Sequence, residues 1–76
     1  MKTVTVLLNS IDKVKSFVNT ISKYDVEFDL VSGRYVIDAK SIMGIFSLDL
    51  SKPIELKIHS DSVDGILAAI EPYLVK

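Results

Sequence analysis

The sequence contains no cysteine and no tryptophan, and a single histidine, among 76 residues. Without cysteine there is no disulfide, no thiolate zinc site and no Cys nucleophile. One histidine, His59, excludes a zinc site built from several imidazoles of one chain. Charge of one sign is also missing. Nine Lys+Arg against ten Asp+Glu leave a net charge of -1, with no surplus cation to neutralise a phosphate backbone, so nucleic acid is not an expected partner. The longest apolar stretch, Ile42 to Leu48, is broken by Gly44 and Ser47 and falls far short of the roughly 20 residues of a spanning helix. The N-terminal segment alternates and lacks the apolar run and small-residue cleavage site of a signal peptide. A cytoplasmic protein without a membrane partner is expected. What is present is 49% hydrophobic and 25% charged, the balance of one globular domain over residues 1–76. A core this small must come from regular structure without staples.

The periodicities divide the chain. Val4, Val6 and Leu8 alternate with Thr3, Thr5 and Leu7, a half-buried strand over 3–8. Ser10 follows as a helix N-cap, and Ile11, Val14, Phe17, Val18, Ile21 and Tyr24 then fall at helical spacing, predicting an amphipathic helix over about 11–23. Period two returns over 26–31, with Val26, Phe28 and Leu30 inward. Ser32-Gly33 signals a turn, and Tyr35-Val36-Ile37 completes a hairpin. Ser41 caps a short helix over about 42–48, and Pro53 precedes a fourth strand with Ile54, Leu56 and Ile58 inward. Ser62 is expected to cap a last helix carrying Ile66, Leu67, Ala69, Ile70, Tyr73 and Leu74 inward, which Pro72 kinks or ends early. The order β-α-β-β-α-β-α is an α+β pattern: a four-stranded, mostly antiparallel sheet with helices on one face.

Two segments carry a resemblance. Ile21-Ser22-Lys23-Tyr24-Asp25 and, more specifically, Lys40-Ser41-Ile42-Met43-Gly44-Ile45-Phe46-Ser47-Leu48 closely resemble HPr, the histidine-containing phosphocarrier of the bacterial sugar phosphotransferase system. The resemblance spans nearly the whole chain and implies the open-faced β-sandwich of that family. It breaks where the family does its chemistry. Against the family signature Gly-Ile-His-Ala-Arg-Pro-Ala, Ser10 stands at the phosphorylated His, Asp12 at the Arg and Lys13 at the Pro. Phosphohistidine transfers because its P–N bond is labile and imidazole is nucleophilic near neutral pH. A serine would form a stable monoester, and the Asp12 carboxylate repels an incoming phosphate that Arg would clamp. His59, out of phase with Ile54, Leu56 and Ile58, is expected as a surface histidine on the open sheet face, not as a relocated site.

Ser41 matches the family's regulatory phosphoserine. There, in Gram-positive bacteria, an ATP-dependent kinase makes a corepressor for a transcription factor of catabolite repression. A phosphate adds about -1.5 to -2 charge; the alternative is that Ser41 is only an N-cap. The resemblance implies a docking surface at Ile42, Met43 and Phe46. Four apolar residues on so short a helix cannot all face one core, and Ile45 and Leu48 are the ones expected inward. Lys40 belongs either to that surface or to the solvated lysines.

Three functions follow from these residues. The first is a regulatory protein-binding module without histidine chemistry, similar to the catabolite-repression HPr paralogue that has also lost its His. Its partners would be an HPr kinase and a transcriptional regulator. The second is an atypical phosphocarrier in sugar uptake. The third is an interaction or oligomerisation module, monomer or weak homodimer, with no phosphorylation. An enzyme is not indicated. No nucleophile–base pair, phosphate-cradling Gly loop or metal-ligand cluster stands out, and no cofactor is called for.

Overall fold

The computed structural model describes residues 1–75. Strand β1 (Lys2–Val6) leads into helix α1 (Ile11–Ile21), the hairpin β2 (Phe28–Ser32) and β3 (Tyr35–Asp38), helix α2 (Ile42–Phe46), strand β4 (Ile54–Ile58) and helix α3 (Asp64–Ile70), followed by a 3-10 turn at Glu71–Tyr73. The four strands form one sheet in the order β1-β4-β2-β3, and every neighbouring pair is antiparallel. The expected α+β architecture is thus present, a four-stranded antiparallel sheet with its helices on one face.

Register follows from burial. Val6 pairs with Ile54, Phe28 with Ile58, and Leu30 with both Leu56 and Ile37. One sheet face is therefore apolar across all four strands, because alternate side chains point the same way. Onto it α1 lays Val14, Phe17, Val18 and Ile21, α2 lays Ile45, and α3 lays Ile66 and Ile70. Leu8 and Ala39 complete the buried cluster, which holds no polar or charged side chain. The Phe17 ring meets Tyr73 edge-on, centroids 5.5 Å apart, the geometry ring quadrupoles favour. The opposite face presents Thr3, Lys57, Asp29 and Asp38 in one cross-strand row.

The chain reverses between β2 and β3 through Gly33-Arg34, with Ser32 opposite Tyr35. Gly33 has φ 60, and among the described residues no non-glycine has positive φ, so the glycine occupies the left-handed first position of a two-residue loop, as a type II′ turn requires. Pro53 lies directly before β4, and Pro72 sits in the first turn of the 3-10 segment that ends α3. Beyond it the chain lies along β1. Val6 bridges Leu74, and the Val75 amide donates to the Thr5 carbonyl at 2.9 Å.

Several local expectations are corrected. Ile11, placed on the inner stripe of α1, is 60% exposed; as the first helical residue it points off the end of the layer. That helix stops at Ile21, so Tyr24 reaches the core from the following turn, its hydroxyl donating to the Gly65 carbonyl at 3.4 Å. Strand β2 starts at Phe28 rather than Val26, and α2 ends at Phe46. Ser62 does not cap α3. The N-cap is Val63, with no side-chain hydrogen bond, while the Ser62 amide donates to Ser60 Oγ at 3.1 Å. The intervening turn closes on itself and leaves the helix start without a cap.

Candidate functional site

The candidate residues fall into two groups at two helix starts. At α1, Ser10 is extended (φ -147, ψ 156) and its Oγ accepts from the Lys13 amide at 3.1 Å. That bond is the N-cap, satisfying one of the amides a helix leaves unpaired. Ser10 and Asp12 are both exposed. Asp12 sits in the first turn of α1, where the helix dipole favours an anion. The residue choice stabilises the helix while making its start less receptive to a further anion.

At α2, Ser41 is likewise extended and exposed, and its Oγ accepts from the Gly44 amide at 3.2 Å. Accepting leaves the hydroxyl proton free. A Cβ on Gly44 would stand 3.2 Å from Ser41 Oγ and 3.4 Å from Ile37 Cδ1, so a side chain there would crowd the capping hydroxyl by a few tenths of an ångström. Around this cap the side chains divide. Ile45 is fully buried and Leu48 packs at the edge of the core. Met43 is 80% exposed, and Ile42 and Phe46 are each more than a third exposed. A helix of five residues has one inward side, so these three turn to solvent.

Lys40 belongs to the framework as much as to the surface. Its Nζ donates to the Tyr24 carbonyl at 2.9 Å and stands 5.6 Å from the centroid of the Phe28 ring, a cation–π arrangement. Helices α1 and α2 pack against each other. Among the described residues no hydrogen bond or ion pair joins Ser10 or Asp12 to Lys40 or Ser41. A separate hollow of about 290 Å³ is lined by Val26, Glu27, Phe28, Asp29, Asp38 and Lys40; its three carboxylates make it a poor seat for phosphate. Among the described residues no group of His, Cys, Asp or Glu gathers as a metal site, and no helix is long and apolar enough to cross a membrane.

His59 lies one residue past β4, on the parity of the open face, and is exposed. It is not free, however. Its Nε2 lies 2.8 Å from Asp29 Oδ2, an interaction between residues thirty positions apart that only the pairing of β2 with β4 creates.

The family model described as "PTS HPr component phosphorylation site" matches residues 13–74. The chain belongs to the HPr family. A crystal structure of HPr-C-His from Thermoanaerobacter tengcongensis is similar over 95% of this chain and 89% of that one, with a TM-score of 0.78 and 28% sequence identity. HPr proteins are phosphocarriers that work with other proteins of the phosphotransferase system rather than enzymes in their own right. The family match begins at Lys13, so it takes in Lys40, Ser41, Ile42, Met43 and Phe46 but not Ser10 or Asp12. Two features of these residues were not legible in sequence: the bond from Lys40 to the Tyr24 carbonyl, and the exposure of Ile11 beside Ser10. Both depend on where separate elements come to rest.

Proposed function

We propose that this HPr-family chain is a regulatory module, recognised by protein partners through Ile42, Met43 and Phe46 and controlled by phosphorylation of Ser41, with no phosphoryl group carried at position 10. The observation that supports it most is the exposure of Met43 and its two apolar neighbours on a helix capped by an exposed serine. Methionine and aromatic side chains suit adaptable protein contacts, and a phosphate on Ser41 would alter the charge at their edge. Ser10 and Asp12 argue against histidine-type transfer for the chemical reasons given above. The partners in this reading are an HPr kinase and a transcriptional regulator, and the protein works in the cytoplasm.

The test is incubation with an HPr kinase and ATP, followed by binding to the cognate regulator. Label on Ser41, with regulator binding that is lost in Met43→Asp, is the expected result. No label and no regulator binding overturns it. The capping bond of Ser41 favours a second reading, an interaction module in which the serine only caps; binding that is indifferent to the kinase selects it. An atypical phosphocarrier would instead acquire acid-labile label from phosphoenolpyruvate and the first enzyme of the phosphotransferase system.

A further inference from the structure

The segment from Tyr73 to Val75 is bound to the sheet at three points. The Leu7 amide donates to the Tyr73 carbonyl at 2.8 Å, Val6 bridges Leu74, and the Val75 amide donates to the Thr5 carbonyl at 2.9 Å. The start of the segment is fixed separately, by the edge-on contact of Tyr73 with Phe17 and by the packing of Leu74 against the core. Leu74 is extended (φ -71, ψ 139), so the chain runs as a short antiparallel strap beside β1.

Strand β1 stands at one end of the sheet order and has the composition of a pairing template. Thr3-Val4-Thr5-Val6-Leu7-Leu8 holds no charge, no Pro and no Gly, and four of these residues are β-branched. Such segments readily add further strands. Edge strands usually carry charges or Pro against this, whereas β1 has Lys2 alone, at its start. The ladder shows which backbone groups are at stake. Thr5 and Leu7 turn to the strap. Backbone groups alternate sides along an antiparallel strand, so Thr3 turns the same way, while Lys2, Val4 and Val6 turn to β4. The strap takes the Thr5 carbonyl and the Leu7 amide. Among the described residues, Thr3 is the one outward residue of β1 that it leaves untouched, too little to hold a second strand.

Without Leu74 and Val75, Thr3 and Thr5 would both present their outward groups. About a two-fold axis through Val4 these are self-complementary. Thr3 exchanges hydrogen bonds with Thr5 of the partner subunit, and Thr5 with Thr3 of the partner subunit. Cross-strand threonine pairs are favourable. The arrangement consumes the β1 edge of both copies, so it closes as a dimer and does not grow into a fibre. We propose that Leu74–Val75 is an edge guard: lying along β1, it keeps the chain from pairing with a second copy, and its displacement permits that pairing.

A chain ended at Tyr73 tests this, because it keeps the Phe17 contact and the bond from Leu7. In sedimentation equilibrium the wild type should stay near 8.4 kDa up to about 0.1 mM. The shortened chain should rise toward twice its monomer mass, associating at least about tenfold more tightly, with unchanged circular dichroism. Thr3→Lys with Thr5→Lys in the shortened chain sets like charges opposite each other and should return it to monomer. Mixing that variant with Thr3→Glu, Thr5→Glu should restore a mixed dimer. A shortened chain that folds and stays monomeric overturns the proposal. So does a wild type that associates as tightly, association indifferent to the lysines, or association lost in Met43→Asp, which would place the contact on α2. Should the shortened chain misfold, Val75→Pro in the full chain carries the test. It removes the amide that bonds Thr5, and the backbone of Leu74 already suits the position before proline. Association tighter than wild type and abolished by the two lysines is expected; monomer mass overturns the proposal here too.

Discussion

Replacing Ser41 separates two roles that one hydroxyl combines. In Ser41→Ala the Gly44 amide loses its acceptor at 3.2 Å and must turn to water. Cap removal costs about 0.5–2 kcal/mol. An exposed bond of this length belongs in the lower half, about 0.5–1 kcal/mol. A domain of 76 residues, at about 2.1 cal/mol/K of unfolding entropy per residue, should then lose about 3–6 °C in Tm. Asparagine and aspartate cap as well as serine, so Ser41→Asn and Ser41→Asp should stay within about 1 °C of wild type. Ser41→Asp combines a favourable charge at the helix start with repulsion from nearby Asp38. Differential scanning calorimetry of the four proteins reads these differences. The argument fails if Ser41→Ala melts with the wild type, or if Ser41→Asn falls as far as Ser41→Ala. Ser41→Asn is then the variant to use with a kinase: it keeps the helix start and removes the hydroxyl, so a change in regulator binding reports modification and not a frayed α2.

Three further outcomes follow. Gly44→Ala gains up to about 1 kcal/mol of helix propensity but crowds Ser41 Oγ at 3.2 Å; it should stabilise the Ser41→Ala background more than the wild type, a coupling that a denaturation double-mutant cycle measures. Lys40→Met keeps the aliphatic stem but loses the bond to the Tyr24 carbonyl and the contact with Phe28, and should cost about 1 kcal/mol in urea unfolding. The Asp49 carboxyl is held below its ordinary value of 3.8, first by the Ser51 hydroxyl, then by the Ser51 amide, with Lys52 adding to both. A lowered carboxyl contributes stability above its unfolded pKa and loses it as pH falls through the folded value. The Tm advantage of wild type over Asp49→Asn should therefore be constant near neutrality and shrink below about pH 4.

The short-range features were readable because they depend on neighbours in the chain. Ser10 and Ser41 each cap a helix by reaching three residues ahead, and the alternation of Ile54, Leu56 and Ile58 marks an inward strand face without knowledge of what covers it. The misreadings have one cause. Ile11 fits the apolar period of α1 yet lies beyond the end of the layer it would pack against. Ser62 is the right residue type for a cap, but its turn places Val63 at that position. The candidate site divides in the same way. The Lys40–Leu48 segment was recognisable as a run of residues, whereas the opposite fates of Ile45 and Met43 were settled by which side of α2 meets the sheet.

The amino-acid sequence alone determined the element order, the apolar faces, and the lack of any cysteine thiol or second histidine. These follow from residue type and period, which are properties of the chain. Tertiary structure decided that Lys40 bonds to Tyr24, that His59 meets Asp29, that the C-terminal segment lies along β1, and that β3 stands at the other end of the sheet. Each depends on the strand order β1-β4-β2-β3, which brings distant residues together through a register that no local pattern encodes.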